Sequence, residues 1–128
     1  MTSPDKLATK LSPYLTPGET IRHGYRCNGA PRQRSFAGKL MAGAAYVTNR
    51  RVIFYARLPL RAGEVFDAID LGQITGVSMA PGSGGSSSLR VETPGGELVL
   101  TAIRAGDARD MIGAVNAAMH PQYPPPVG

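Results

Sequence analysis

Apolar side chains recur at every second position over much of this chain, the period of a strand with one buried face. The cleanest case is "SLRVET" (88–93), where Leu89 and Val91 alternate with Arg90 and Glu92. Residues 19–27 place Ile21, His23, Tyr25 and Cys27 on one face and Arg22 and Arg26 on the other. That pattern predicts a strand and a packed imidazole at His23. Residues 36–48 and 50–57 pair as a hairpin. In its second arm Val52, Phe54 and Ala56 face one way, and Ile53, Tyr55 and Arg57 the other. The turn centres on Asn49 and Arg50, where Asn tolerates a left-handed conformation. Runs 64–71, 73–79 and 97–103 complete a set of seven strands.

The period changes to that of a helix at both ends of the chain. Residues 3–12 predict a short helix capped by Ser3 and Pro4, with Leu7 and Leu11 on one face. Residues 106–120 keep Ala108, Met111, Ile112, Val115 and Met119 on a single stripe, with Asp107 as the cap and Pro121 as the stop. Between the strands, "APGSGGSSS" (80–88) reads as a flexible loop and "RLPLRAG" (57–63) as a break. The expected fold is mostly β (α+β): seven antiparallel strands in a bent sheet, capped by the C-terminal helix. Residues 1–120 form one domain in this reading, and 121–128, "PQYPPPVG", a flexible Pro-rich tail.

Several stretches resemble bacterial pleckstrin-homology-like domains. "GKLMAGAAYVTNRRVIFY" resembles that family's central hairpin, with "TNRR" as its most specific part. "PGETI", "IDLGQITGV" and "LRVETPGGELVL" resemble the family's first strand, its fourth-to-fifth strand passage and its close. The likeness spans about residues 15 to 120. It implies a seven-stranded bent sheet or partly open barrel, and a module that binds lipid or protein without catalysis.

Composition narrows the function classes. The chain has 128 residues and a net charge of +5. Its charge is polarised: residues 1–61 hold 11 basic and 2 acidic side chains, whereas 62–128 hold 3 and 7. Such a molecule orients toward anionic partners. A single cysteine, Cys27, excludes an intrachain disulfide, and no repeated Cys/His spacing suggests a metal. The start has no apolar signal-like run, and "LMAGAAYV" is far too short to span a membrane. A soluble cytoplasmic protein is expected, peripheral at the inner membrane face when it meets lipid. There is no G-x-S-x-G, H-E-x-x-H or P-loop, and "GSGG" (82–85) lacks the third glycine of a dinucleotide fingerprint. No catalytic residue and no cofactor are expected; Cys27 reads as a small packed hydrophobe.

The candidate site comes from topology. In an antiparallel meander, loops after odd-numbered strands share one end. That brings together 28–35 with Arg32 and Arg34, 57–63 with Arg57 and Arg61, and the Gly/Ser loop with its backbone N–H groups. The family resemblance implies the first two of these loops as the holders of phosphorylated inositol headgroups. Leu58 and Leu60, between Arg57 and Arg61, suit a membrane tip with snorkelling arginines, although a return to the core is the favoured alternative because exposed leucine pairs are uncommon. Arg50 and Arg51 fall at the opposite end. The first reading is therefore a module for anionic lipid, phosphate or an acidic protein surface. The second is a protein-interaction or self-assembly domain, including a homo-oligomer. Nucleic acid is a disfavoured third, since tryptophan is absent and only three Phe and five Tyr are present for stacking.

Overall fold

The computed structural model describes residues 4–30, 32, 40–57, 63–82 and 84–119. Helix α1 (Pro4–Leu11) and a 3-10 turn (Ser12–Tyr14) precede strands β1 (Ile21–Ala30), β2 (Met41–Thr48), β3 (Arg51–Arg57) and β4 (Glu64–Asp70). A second 3-10 turn (Leu71–Gln73) leads to β5 (Gly76–Pro81), β6 (Ser86–Thr93), β7 (Gly96–Arg104) and helix α2 (Ala105–Met119). Among the described residues the strands form one antiparallel sheet in the order β4-β3-β2-β1-β7-β6-β5. The predicted seven strands, closing helix and short first helix are all present. The Pro-rich tail lies outside the described residues.

The sheet buries both faces along β3, which explains why "VIFYA" is continuously apolar rather than alternating. Val52, Phe54 and Ala56 join an inner core with Leu89, Leu98, Leu100 and the α2 residues Ala108, Met111 and Val115. Ile53 and Tyr55 point outward, where Leu7 and Leu11 of α1 cover them together with Ala44 and Tyr46. Leu11 is fully buried and Leu7 nearly so. Each contributes roughly 1.5–3 kcal/mol, and a helix of eight residues needs that packing because it is unstable alone.

Close approach fixes two glycines. A Cβ at Gly29 would stand 2.5 Å from the Phe54 ring, and one at Gly43 would meet the Tyr55 carbonyl. These glycines let β1 and β2 bend over the core.

Several local expectations change. A register shift between Ile21 and His23 inserts Arg22 as an extra residue in β1. Ile21 therefore packs on the outer cluster, Tyr25 and Cys27 enter the inner one, and His23 is exposed rather than packed. His23 instead stacks on Tyr25 at 6.2 Å between centroids. Asn49 is not left-handed, since Ala102 is the positive-φ non-glycine residue among those described. The Asn49 side chain accepts from the Thr20 N–H at 2.8 Å and donates to the Gly18 carbonyl at 3.0 Å. The turn is held by the Thr48 hydroxyl, which accepts from the N–H groups of Arg50 and Arg51. Ser86–Ser88 belong to β6 rather than to a loop, because Gly84 and Gly85 take positive φ and close a short hairpin. Asp107 lies in the first turn of α2, which starts at Ala105.

Candidate functional site

Strand direction decides which connections share an end. Asn28 pairs with Ala42, and Arg57 pairs with Glu64, so the β1–β2 and β3–β4 connections leave from the same end. Strand β7 also runs against β1, with Ala30 opposite Val99, so the β6–β7 turn at Pro94 and Gly95 reaches that end too. Ser86 faces Arg104 at the far end of β7, which places the Gly/Ser connection (82–85) at the opposite end. The expectation that it joins the other two loops is thus corrected. The rule of alternating ends requires every consecutive pair of strands to be neighbours. Strands β4 and β5 are the two sheet edges and do not pair, so alternation breaks between them.

Arg32 is the first residue of the loop end to be described, and its guanidinium is committed inward. Asp67 sits in β4 between Val65 and Ile69 with its side chain 4% exposed. It accepts from the Arg32 backbone N–H at 2.8 Å, from Nε at 3.0 Å and from Nη2 at 2.8 Å. Nη2 also donates to the Ala68 carbonyl, and Nη1 reaches the Thr93 hydroxyl at 3.5 Å. One arginine thus ties the end of β1 to edge strand β4 and to the β6–β7 turn. A buried carboxylate needs such a partner.

Arg57 goes the other way. It follows Ile53 and Tyr55 on the outer face and is exposed. Arg32 and Arg57 therefore lie on opposite faces of the sheet. Arg34, Leu58, Leu60 and Arg61 fall outside the described residues.

At the opposite end, Arg50 and Arg51 are structural. Arg51 donates to both Glu19 carboxylate oxygens at 2.6 and 2.9 Å and to the Tyr14 carbonyl at 3.1 Å. Its guanidinium lies 5.6 Å from the centre of the Phe66 ring. Glu19 also accepts from the Thr48 hydroxyl at 2.7 Å and the Thr16 N–H at 3.0 Å. The Arg51 hydrogen bond, aided by those donors against the cost of burial, holds the Glu19 carboxyl down at about 2. Arg50 donates to Thr16 at 3.1 Å. The "TNRR" motif is the clasp between the N-terminal segment and the β2–β3 hairpin.

Burial pushes the Cys27 thiol up to about 12, which suits a packed side chain. Arg26 on β1 and Arg104 at the end of β7 are exposed and were not among the expected site residues. Their signal was present in the alternation, which puts Arg26 on the outer face. What was missing was the neighbour relation of β1 and β7, a long-range pairing that no local pattern encodes.

Comparison with known proteins agrees with this architecture. The family model described as Bacterial PH domain matches residues 15–117. Among solved structures, a pleckstrin-homology-domain protein from Shewanella loihica superposes with a TM-score of 0.63 at 15% identity, covering 92% of this chain and 94% of that one. A pleckstrin homology domain from Shewanella amazonensis gives 0.59 at 18% identity, covering 89% and 86%. The C-terminal domain of an unknown protein from Leishmania infantum gives 0.61 at 17% identity, covering 89% and 99%. A comparison with curated proteins gives no match. At such identities the structural likeness establishes the fold. The match begins after α1, so the helix on the outer face is an addition to the matched segment.

Proposed function

Because the chain belongs to the bacterial PH domain family, we propose that it is a non-enzymatic module that binds an anionic surface through its loop end. One observation carries this reading. The β1–β2 and β3–β4 connections leave from one end of the sheet, and the sequence of segments 31–40 and 57–63 holds five basic residues and no acid. Arg32 stitches the sheet, so Arg34, Arg57 and Arg61 remain as the binding arginines, with Leu58 and Leu60 as the apolar tip. Three arginines at an anionic bilayer contribute about 1 kcal/mol each. That total falls short of the roughly 4 kcal/mol of a millimolar complex. Stable attachment then requires leucine insertion or several copies acting together.

Vesicle sedimentation tests the reading. Wild-type protein should pellet with anionic vesicles and less so at high salt. Joint replacement of Arg34, Arg57 and Arg61 by Gln should abolish pelleting with little change in melting temperature. Leu58→Ser with Leu60→Ser reports whether insertion contributes. Failure of wild-type protein to pellet at low salt would refute lipid binding and leave an acidic protein surface as the partner. A second reading, protein interaction or self-assembly, rests on β5, a sheet edge whose Met79 is 42% exposed. Light scattering showing a stable oligomer would favour it.

A further inference from the structure

Strands β1 and β7 part company where the sheet should be continuous. Only Asn28, Gly29 and Ala30 of β1 pair with β7. The cause lies in β7. Ser87 pairs with Ile103 but Leu89 pairs with Leu100, an extra residue accommodated by Ala102 at φ 55. The kink turns the end of β7 away from β1 and feeds it into α2 at Ala105. What remains is an open groove of about 720 Å³ on the outer face, within the range of roughly 300–1,000 Å³ typical of small-ligand sites.

The lining is basic. Arg26, Arg57 and Arg104 all border the groove, against a single acid, Asp107. None of the three arginines makes a direct ion pair with a described residue, although Arg57 stands opposite Glu64 in the ladder and, beside the Tyr14 hydrogen bond, its charge helps to lower that carboxyl's pKa. The floor is low, because β2 contributes only Ala42 and Gly43 to it. Arg26 lies in register with Ala44 and Tyr55, one outer-face step from Arg57. Two strand spacings and a two-residue offset set their Cα atoms roughly 12 Å apart. Two arginine side chains can converge over that span above Ala42 and Gly43, beside Leu7. The β1 edge from Gly24 to Cys27 has no ladder partner on the β7 side, so its backbone donors border the same space. Leu7 of α1 closes one wall with apolar surface.

We propose that this groove is a second binding site, sharing only Arg57 with the loop end, for a phosphate monoester carried on a small organic body. Guanidinium groups match phosphate oxygens in paired hydrogen bonds. Unladdered backbone adds donors, and Leu7 accommodates the carbon skeleton. The phosphate is presented either by a soluble compound or by a lipid headgroup.

The test is amide NMR of the full chain with glycerol 3-phosphate as the probe. Saturable shifts should appear at residues 24–28, 42, 43 and 102–104. Arg26→Gln with Arg104→Gln, neither of which belongs to the loop end, should weaken binding about tenfold or more. Arg26→Lys keeps the charge and should recover only part of it. Ala42→Leu raises the floor at unchanged charge and should also abolish the shifts. Vesicles carrying phosphatidic acid separate the sources: weaker sedimentation of the Arg26/Arg104 variant assigns the phosphate to lipid, and undisturbed sedimentation assigns it to the soluble compound. Absence of saturable shifts combined with undisturbed sedimentation would overturn the proposal. Full binding by the Ala42→Leu variant would overturn it as well, because the anion would then be held by diffuse charge. Loss of vesicle binding on changing Arg34 and Arg61 alone concerns only the loop end.

Discussion

Replacing Glu19 by Gln should cost stability at neutral pH and nothing in strong acid. The Glu19 side chain is fully shielded and grips Arg51 through two hydrogen bonds. Its carboxyl titrates at about 2 rather than 4.5. At about 1.4 kcal/mol per unit, that depression makes the ionised form worth about 3 kcal/mol to the folded state. An amide would still accept from Thr16 and Thr48, so the expected loss at pH 7 is about 2–3 kcal/mol. For a domain of this size the loss corresponds to a fall in melting temperature of about 10 °C. The sign follows from the direction of the shift. A depressed carboxyl contributes fully above its unfolded value of 4.5 and loses that contribution as pH falls toward about 2. Urea titrations of wild-type and Glu19→Gln proteins between pH 7 and pH 2 should give curves that converge in acid. A constant gap across the range would refute the reasoning, because the loss would then come from shape rather than charge.

The arginines of the loop end divide by role. Arg32→Gln should cost about 3 kcal/mol in urea unfolding, since it strands the Asp67 carboxylate, whereas Arg57→Gln should change stability by no more than about 0.5 kcal/mol. Gly29→Ala drives a methyl into the Phe54 ring and should cost about 1–3 kcal/mol, visible as a lowered thermal midpoint. Met111→Asp places a charge at a fully buried position of the α2 seam and should abolish the cooperative melt by circular dichroism. A normal melt from that variant would contradict the packing of α2.

The elements that were legible in the sequence are those whose signal is local. Leu7 and Leu11 predict a shared helix face, and Val52, Phe54 and Ala56 predict one side of β3; both are found. The Arg22 bulge was hidden because one inserted residue leaves the alternation of Ile21, His23 and Tyr25 intact while reversing the face of the first. Glu19 read as the start of a strand, although it is the acid that neutralises "TNRR". Its partner lies across the sheet, and sequence distance conceals it. The same holds for Arg32, whose counter-charge Asp67 belongs to a strand two places away from β2 in the sheet. Spacing marked these arginines as basic. Only the three-dimensional pairing separates those spent on architecture, such as Arg32 and Arg51, from the exposed Arg57.

The central place of β1 has a consequence for how the chain is made. The first of the seven strands to be made has one neighbour, β2, that follows at once and another, β7, that is the last of the seven. The β1–β4 meander can form early, but it does so with the β1 edge bare, a template for pairing with a neighbouring nascent chain. The pairing of Asn28 with Thr101 closes that edge only once β7 has been made. Folding must therefore wait on a long-range contact, which slows it relative to a purely local meander. A chain interrupted after β6 should accumulate as aggregate rather than persist as a smaller folded domain, because its middle strand would have no second partner.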